Sequence, residues 1–382
     1  MKKIQLKIRT HSPVHIGSGK ELFPYEYVLD DSANSVVKDY HVVDYLSLVE
    51  KDEAFAARLS RRNYGPRDTS RLKNMGVLFY SGRIGPYTYD TLQDDLKRGN
   101  KGAVFDFIKD QHYRSYLPGS SIKGALRTAI AYHILKSRAE KLDDVIDKFL
   151  NVPHSQAVEE IVFRDKKRDV HADILRYLQV SDSEPFKAND TLTLALCQRL
   201  TRKRLFLHNY YEVLRRRLEA RLTLSLDDKL LESPVFAQNS LNSYMPRDFK
   251  SLAKYVNDFS QDIVDFEIEF LQDCQRNHSG EVSKKIDALL DYYLDLKDQI
   301  SNELKNPDAT GMFIAIGKGT GWHKKTVGLA IKNRSWERFK RVFYKGRLGR
   351  KNQKPDRFPS SRDVLVEETQ MFAFGWIKIE QI

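Results

Sequence analysis

The sequence has few cysteines and no long apolar run. Cys197 and Cys274 are the only two cysteines in 382 residues, and they are far apart without metal-ligand spacing. That usage fits a reduced cytoplasmic protein and excludes a cysteine zinc site. A mean hydropathy of -0.55 and the lack of a long apolar segment argue against a membrane span. We therefore expect a cytoplasmic protein with no bound metal and no membrane partner.

Signals for nucleotide hydrolysis and for secretion are also missing. Residues 17–20 read Gly-Ser-Gly-Lys, but a phosphate-binding P-loop would need glycine in place of Val14 and Ser or Thr in place of Glu21. We therefore exclude nucleotide hydrolysis, and no cofactor is implied.

The basic residues 1–9 pass directly into a strand-like alternation, so we expect no signal peptide.

Positive charge is in excess. The formal net charge is +12 and the sequence pI about 9.3, although 30% of the residues carry a charge. Such an excess favours a polyanionic partner, with nucleic acid before an anionic membrane. Between residues 338 and 357 basic residues stand among aromatic ones with almost no acid. We interpret this run as a sugar-phosphate contact in preference to an ordinary solvated face.

The length and the 41% hydrophobic content suffice for two packed domains. We place the boundary near Pro185. Ile4, Leu6 and Ile8 alternate with polar residues, which predicts a half-buried strand, and residues 372–379 predict a final core strand.

The second half of the chain contains both helical and strand patterns. Residues 245–275 and 281–304 have apolar spacing near three and four, which predicts two helices. Residues 218–226 alternate strictly, and we predict a hairpin in which they pair with 209–214 across the arginines 215–217.

The segment near residues 61–101 contains glycine, arginine and tyrosine with little periodicity in its apolar positions. We therefore predict a hairpin-like insertion there. Its tyrosines, if exposed, could stack on bases, although tyrosines of an ordinary surface loop are the alternative. These tyrosines are Tyr64, Tyr80, Tyr87 and Tyr89.

A Pro-Gly turn at residues 118–119 leads into a predicted helix. Ser120 and Ser121 are candidate N-caps, and Lys123 and Arg127 lie four residues apart on one side. Exposed N–H groups, the helix dipole and two cations would suit a phosphate, while an ordinary capped helix is the alternative. Gly124 costs about 1 kcal/mol against alanine in a helix, which close approach of RNA or of a neighbouring strand would explain.

A second glycine-rich stretch occupies residues 317–321. An apolar strand is followed by three alternating glycines, a tryptophan and then Lys324 and Lys325. Glycines let a backbone approach a ligand closely, and a phosphate backbone would suit the cations. A glycine turn that shields a sheet edge is the alternative.

Four motifs together resemble the RAMP superfamily of CRISPR effector subunits. They are Ser12-Pro13-Val14-His15-Ile16-Gly17-Ser18-Gly19, Leu117-Pro118-Gly119-Ser120-Ser121-Ile122-Lys123-Gly124-Ala125-Leu126-Arg127, Gly317-Lys318-Gly319-Thr320-Gly321-Trp322 and Phe374-Gly375-Trp376. The first two are shared by several RAMP subunits. The length and the late glycine loop are most similar to the large RAMP subunit of the type III-A Csm complex, near the 3′ end of the guide.

The resemblance implies an α+β fold with two ferredoxin-like, RRM-related RAMP domains. We assign residues 1–185 to the first domain and residues 186–382 to the second, which has a helical insertion near 245–304. The hairpin insertion near 61–101 in the first domain is a candidate for a wedge between bases. Implied partners are CRISPR RNA (crRNA), neighbouring RAMP subunits and, further, target RNA and recruited host nucleases. The implied RNA-binding residues are Gly17, Ser18, Gly19, Ser120, Ser121, Lys123, Arg127, Gly317, Lys318, Gly319, Gly321, Lys324 and Lys325.

The resemblance also raises the question of catalysis. Some RAMP proteins cleave RNA without metal through histidine, and His11, His15 and His323 are the candidates here. For His15 we expect packing or a backbone hydrogen bond instead. Asp30 and Asp31 lie where the target-cutting subunit has its aspartate, but the surrounding residues differ and we assign neither a catalytic role.

Three functional hypotheses follow. The leading one is a non-catalytic crRNA-binding subunit of a type III-A complex, which caps the guide near its 3′ end and is needed for crRNA 3′-end maturation and complex assembly in antiviral defence. The alternative is a metal-independent RAMP endoribonuclease with a histidine general acid or base. The third is a basic RNA-binding protein outside CRISPR.

Overall fold

The computed structural model describes residues 1–31, 36–64, 69–99, 102–151, 157–164, 169–186, 191–308, 310–346, 348 and 353–382. The strands are β1 Lys2–Thr10, β2 Gly17–Leu22, β3 Tyr27–Leu29, β4 Lys38–Val43, β5 Leu78–Ile84, β6 Val104–Phe107, β7 Leu178–Val180, β8 Leu192–Thr201, β9 Leu205–Leu214, β10 Glu219–Leu226, β11 Gly311–Ala315, β12 Ser361–Val366, β13 Met371–Phe372 and β14 Trp376–Gln381.

The helices cover much of the remaining described chain. They are α1 Tyr45–Lys51, α2 Glu53–Ser60, α3 Leu72–Met75, α4 Pro86–Lys97, α5 Gly119–Ser137, α6 Ala139–Asn151, α7 Asp228–Leu231, α8 Phe249–Gln275, α9 Gly280–Lys305, α10 Gly321–Lys325, α11 Gly328–Arg334 and α12 Trp336–Lys345. Of the helices in the described ranges, none is both long and apolar enough to cross a bilayer.

The first sheet has the strand order β11-β14-β1-β10-β7, and all of its neighbouring strands are antiparallel. The predicted alternation of β1 is confirmed, because Ile4, Leu6 and Ile8 are buried while most of their neighbours are not. Leu6 lies opposite Leu222, so apolar side chains meet across the strands on the buried face.

The second sheet has the order β2-β6-β9-β8-β5-β4-β3, and β12 pairs with β8 and β13 beside it. Its β5–β8 and β6–β9 pairs are parallel, and its remaining pairs are antiparallel. An isolated bridge between Val14 and Leu214 joins the chain after β1 to the end of β9, and so brings the first glycine turn to this sheet.

Helices α8 and α9 confirm the two helices predicted in the second half. A capping box between Asp248 and Ser251 begins α8. Asn257 and Ser260 donate hydrogen bonds to the backbone carbonyls of Gly311 and Phe313, at 3.0 Å and 2.5 Å. These bonds fix α8 against the strand that leads into the late glycine loop.

The predicted hairpin between residues 209–214 and 218–226 is wrong, although both segments are strands. β9 pairs with β8 and β6, whereas β10 pairs with β1 and β7. Arg217, with a φ of 64°, lies in the link where the chain leaves one sheet and enters the other. Strict alternation predicts a strand but does not say which strand it pairs with.

The predicted hairpin insertion near 61–101 is also wrong, apart from residues 65–68 and 100–101, which lie outside the described chain. The segment supplies β5, a strand inside the second sheet, and α4. Tyr80 and Tyr89 are buried, and Tyr64 and Tyr87 are half-buried. Tyr80, Gly82 and Ile84 occupy every second position and are buried. This alternation with Ser81 and Arg83 was the strand signal in the sequence that was missed.

The α+β class predicted from the sequence is confirmed. The two sheets share strands from both sides of the predicted boundary, because β1 pairs with β10 and β14, and β5 pairs with β8. A cut at Pro185 would leave neither sheet whole.

Candidate nucleic-acid interface

A groove with a volume of about 580 Å³ brings together three segments that are far apart in the sequence. These are the first glycine turn, one face of α5 and the loop after β11. The lining residues are His15, Ile16, Gly17, Gly19, Lys20, Glu21, Phe105, Asp106, Ser121, Gly124, Ala125, Thr128, Tyr211, Ala315, Ile316, Gly317, Lys318, Thr320, Lys324 and Lys325.

The first glycine turn forms an exposed rim of the groove. Residues 17–20 are all exposed, and Gly19 has a φ of 89° that favours glycine. The Ser18 hydroxyl accepts a hydrogen bond of 3.1 Å from the backbone N–H of Lys20. The turn therefore presents backbone groups and one cation to the groove.

The late glycine loop rests directly on the first motif. Gly317, Gly319 and Gly321 have φ values between 71° and 76°. The Lys318 N–H donates to the carbonyl oxygen of His15 at 2.8 Å, and a Cβ added to Gly317 would lie 2.2 Å from that same oxygen. Two of the glycines therefore serve close packing within the protein, because a Cβ on Gly319 would also meet Phe374 at 2.5 Å.

The predicted phosphate site at the start of α5 already holds a carboxylate. The N–H of Gly119 donates to Asp182 at 2.8 Å, and a Cβ on Gly119 would lie 2.2 Å from the carbonyl oxygen of Val180. The predicted serine caps are wrong, because Pro118 occupies the N-cap position and Ser120 and Ser121 are inside the helix.

A face of small residues on α5 borders the groove instead. Ser121, Gly124, Ala125 and Thr128 follow the spacing i, i+3, i+4 and i+7, so they share one helix face. Gly124 is exposed, and a Cβ there would meet nothing within 4 Å. Within the described chain, therefore, no strand packs so closely against α5 that it would require a glycine at this position. The open space beside Gly124 lets a ligand approach the helix closely.

The pair Lys123 and Arg127 is not a pair of free cations. The Arg127 guanidinium lies 2.8 Å from a carboxylate oxygen of Asp173 and 4.1 Å from the ring centroid of Phe163. Lys123 is half-buried, and burial lowers the pKa of its ammonium. Neither residue, nor Ser120, is part of the groove lining. Arg127 therefore shares its charge with Asp173, and its contact with phosphate stays a prediction.

Lys318 and Lys325 are the exposed cations on the glycine-loop side of the groove. Within the described ranges, neither has a carboxylate within salt-bridge distance. Partial burial of its ammonium, followed by repulsion from Lys318, lowers the pKa of Lys325. The lining also contains two carboxylates, Glu21 and Asp106, and Lys109 already pairs with Asp106 at 2.6 Å. The loop side of the groove thus carries unpaired positive charge that suits an anion.

Lys324 and His323 belong to a buried ion cluster around Glu267. The Glu267 carboxylate lies 2.8 Å from the Lys324 ammonium and 2.7 Å from the His323 ring, and it also pairs with Arg362. Arg362 and Lys324 hold the pKa of Glu267 well below its usual range despite its burial. Lys324 lines the groove with its ammonium buried and paired, so its contact with RNA stays a prediction. The cluster anchors α10 behind the glycine loop.

His15 lines the groove, but the contacts of its ring stabilise the fold. Its Nδ1 donates to the carbonyl oxygen of Glu212 at 2.6 Å, and its ring packs edge-on against Phe107 and Tyr211. Burial lowers its pKa to about 4. The expected packing and backbone hydrogen bond are confirmed, and the ring is neutral at pH 7.

The other two histidine candidates are not in the groove lining. Burial lowers the pKa of His323 to about 4. His11 lies with Nδ1 3.0 Å from the Tyr292 hydroxyl, and burial lowers its pKa as well. Asp30 lies 3.2 Å from the ring of His41, where it is buried. The described residues contain no cluster of three His, Cys, Asp or Glu side chains that could hold a metal.

Sequence reasoning missed the aromatic wall of the groove. The rings of Phe105 and Tyr211 stack at 4.5 Å between centroids, and the Lys318 ammonium lies 5.9 Å from each. Lys20 was missed as well, although it directly follows a predicted contact. Residues 209–214 of β9 were predicted as a strand, but the pairing that brings Phe105 beside Tyr211 was not visible in the sequence.

The basic run between residues 338 and 357 is partly neutralised. Arg338 pairs with Asp143, and Lys340 pairs with Glu337 at 2.6 Å. Arg347, Arg350 and Lys351 lie outside the described residues. The described residues of the run are not among those that line the groove.

Comparison with known proteins identifies the family. The RAMP superfamily model matches residues 7–324. The chain belongs to the RAMP superfamily. This confirms the family that the four motifs indicated.

Two relatives of this RAMP chain carry the name CRISPR system Cms protein Csm5. The one from Methanocaldococcus jannaschii is 23% identical over 402 aligned residues, which cover 98% of this chain and 88% of that protein. The one from Streptococcus thermophilus is 28% identical over 203 residues, which cover 51% of this chain and 54% of that protein.

Solved structures share the fold over nearly the whole chain. One is a chain in the cryo-EM structure of a Csm-crRNA-target RNA ternary complex of a type III-A CRISPR-Cas system, with a TM-score of 0.66, 21% identity and coverage of 99% of this chain and 100% of that one. The crystal structure of T. onnurineus Csm5 has a TM-score of 0.61 and 19% identity, and covers 97% of this chain and 99% of that one.

Proposed function

We propose that this RAMP protein is a crRNA-binding subunit of a type III-A Csm effector complex and that it holds the RNA backbone in the groove. The observation that carries the proposal is the convergence of the first glycine turn, the small-residue face of α5 and the late glycine loop on one groove. The names and folds of its relatives support the same role.

The chemistry of the groove suits a ribose-phosphate chain. Lys20, Lys318 and Lys325 supply positive charge, and the exposed backbone around Gly17 and Gly19 supplies polar groups that do not depend on base identity. The small side chains of α5 leave room for a backbone to lie against the helix. Such contacts position an RNA without reading its sequence.

We propose further that the subunit caps the guide near its 3′ end, is needed for 3′-end maturation and complex assembly, and contacts neighbouring RAMP subunits. Target RNA and recruited host nucleases are proposed as additional partners, and the cytoplasm as the location. These points rest on the family resemblance and on the relatives' names, and no groove residue bears on them directly.

We propose that the subunit is not a nuclease. Cleavage of RNA without metal needs a base and an acid near the 2′-hydroxyl and the leaving oxygen. His15 lines the groove, but with a pKa of about 4 it is neutral at pH 7, and its one ring proton is donated to the Glu212 carbonyl oxygen, so it is a poor general acid. Burial raises the pKa of the neighbouring Tyr211, which makes it a poorer proton donor.

The test is to incubate the purified protein with end-labelled repeat-spacer RNA, with and without EDTA, and to measure binding and cleavage together. We expect a shifted but intact RNA in both conditions. Cleavage that persists in EDTA and disappears in His15→Ala would establish the endoribonuclease in place of the non-catalytic subunit.

A further inference from the structure

A second cavity, of about 410 Å³, adjoins the groove. Its volume is within the range of roughly 300–1,000 Å³ that is typical of ligand pockets. The walls are mainly apolar and include the aromatic rings of Phe149, Phe163 and Trp322. Thr128 and Lys325 line both the cavity and the groove, so the two spaces meet at α5 and at the end of α10.

The polar group that distinguishes this cavity is Glu159. Although 33% of its side chain is exposed, its Oε2 is buried and has no hydrogen-bond partner among the described residues, while its Oε1 lies 4.0 Å from the Nε of Arg127. An unsatisfied buried acceptor is costly, so a bound N–H donor would be favoured here. An aliphatic side chain from a partner protein could fill the apolar walls but would leave this oxygen unsatisfied.

We propose that this cavity takes a single unstacked nucleobase from the RNA whose backbone lies in the groove, and that Glu159 accepts a hydrogen bond from an exocyclic amino group. The inference rests on the proposed RNA binding. Single-stranded RNA is recognised through splayed bases that stack on aromatic side chains. Cytosine and adenine present an amino donor where uracil presents a carbonyl oxygen, so a carboxylate favours the first two.

The same arrangement explains the aromatic character of the walls. Trp322 and Phe149 line the cavity and are half-buried, so they offer apolar ring surface to it. Phe163 is fully buried, and Arg127 is held over its ring by the pair with Asp173. The pair leaves Arg127 without free charge for phosphate but fixes the edge of the cavity. The groove would thus hold the backbone, and the cavity would select one base.

The test compares strands that share a backbone and differ in their bases. Fluorescein-labelled strands of about 12 nucleotides are made as oligo(C), oligo(A), oligo(U) and a fully abasic ribose-phosphate chain, and affinity is measured by anisotropy. We expect oligo(C) and oligo(A) to bind about tenfold more tightly than oligo(U), and the abasic chain to bind most weakly.

Variants separate the cavity from the groove. Ala131→Phe should fill the cavity with a ring from α5. Val158→Phe fills it from another wall and replaces the first variant if that variant unfolds at a lower temperature than the wild type. Either should remove the preference among strands and leave affinity for the abasic chain unchanged. Glu159→Gln should reduce the preference for C and A over U, because an amide both donates and accepts.

The outcomes also distinguish this inference from the proposed function. Equal affinity of the wild type for all four strands would overturn the base pocket while leaving backbone binding in place. No binding of any strand would refute RNA binding itself. A filled variant that keeps the base preference but no longer associates with another protein would show that the cavity docks a partner, and would overturn the nucleobase proposal.

Discussion

Replacing both Lys318 and Lys325 with alanine should flatten the salt dependence of RNA binding. These two ammonium groups lie on the groove without carboxylate partners in the part of the chain that the structure describes. Each phosphate contact on a single strand contributes about 0.7 to the slope of log affinity against log salt. Loss of two contacts should therefore lower the slope by about 1.4. Across a tenfold range of salt, wild-type affinity should then fall about 25-fold more than that of the double variant.

The assay is anisotropy of labelled single-stranded RNA at a series of salt concentrations. The matched control is the double variant Lys284→Ala and Lys297→Ala on α9, which removes the same formal charge away from the groove lining. Each of these lysines already pairs with a carboxylate, at 3.0 Å and 2.7 Å. If both double variants lower the slope equally, the effect comes from net charge and the assignment of the groove is refuted.

Four further predictions concern stability and packing. Lys324→Ala should cost about 3 kcal/mol in urea unfolding because it breaks a buried ion cluster, and a change in salt slope without this loss would contradict the assigned role. Gly317→Ala should destabilise by about 1–3 kcal/mol through its positive φ, with a further clash against the His15 carbonyl. Gly124→Ala should instead stabilise by about 1 kcal/mol while weakening RNA binding, and unchanged affinity would show that no ligand approaches α5. His15 and His323 stay neutral when folded down to a pKa of about 4. Because their unfolded pKa is about 6.5, stability should fall by about 1.4 kcal/mol per pH unit for each imidazole between pH 6.5 and 4; flat stability there would contradict their burial.

The local elements were predictable where one pattern decides the structure. The alternation of β1 and the apolar spacing of α8 and α9 carry their own signal, because a buried face repeats every two residues in a strand and about every 3.6 in a helix. The pairing of β9 and β10 with different sheets was not predictable, because strand alternation is the same whichever neighbour supplies the hydrogen bonds.

The sequence predicted part of the backbone conformation of the candidate site, but it did not predict which of its charged side chains would be paired. The glycines of the late loop were correctly placed at a tight turn, since positive φ and close chain approach are properties of glycine itself. Gly17 and Gly19 were predicted in a turn but lie within β2, where the register shifts between Gly17 and Glu21. Which lysine remains unpaired depends on distant carboxylates. Asp173 reaches Arg127 and Glu267 reaches Lys324 from segments that the sequence does not visibly connect to them. Phe105 and Tyr211 meet only through the sheet.

The most direct test of the central claim is to purify the tagged chain from its native cells and sequence the RNA that comes with it, beside the Lys318→Ala and Lys325→Ala double variant. We predict that the wild type carries repeat-spacer RNA and copurifies with other RAMP subunits, and that the variant carries less of this RNA at elevated salt. Recovery of the wild type with no enrichment of repeat-spacer RNA over total RNA would contradict the account.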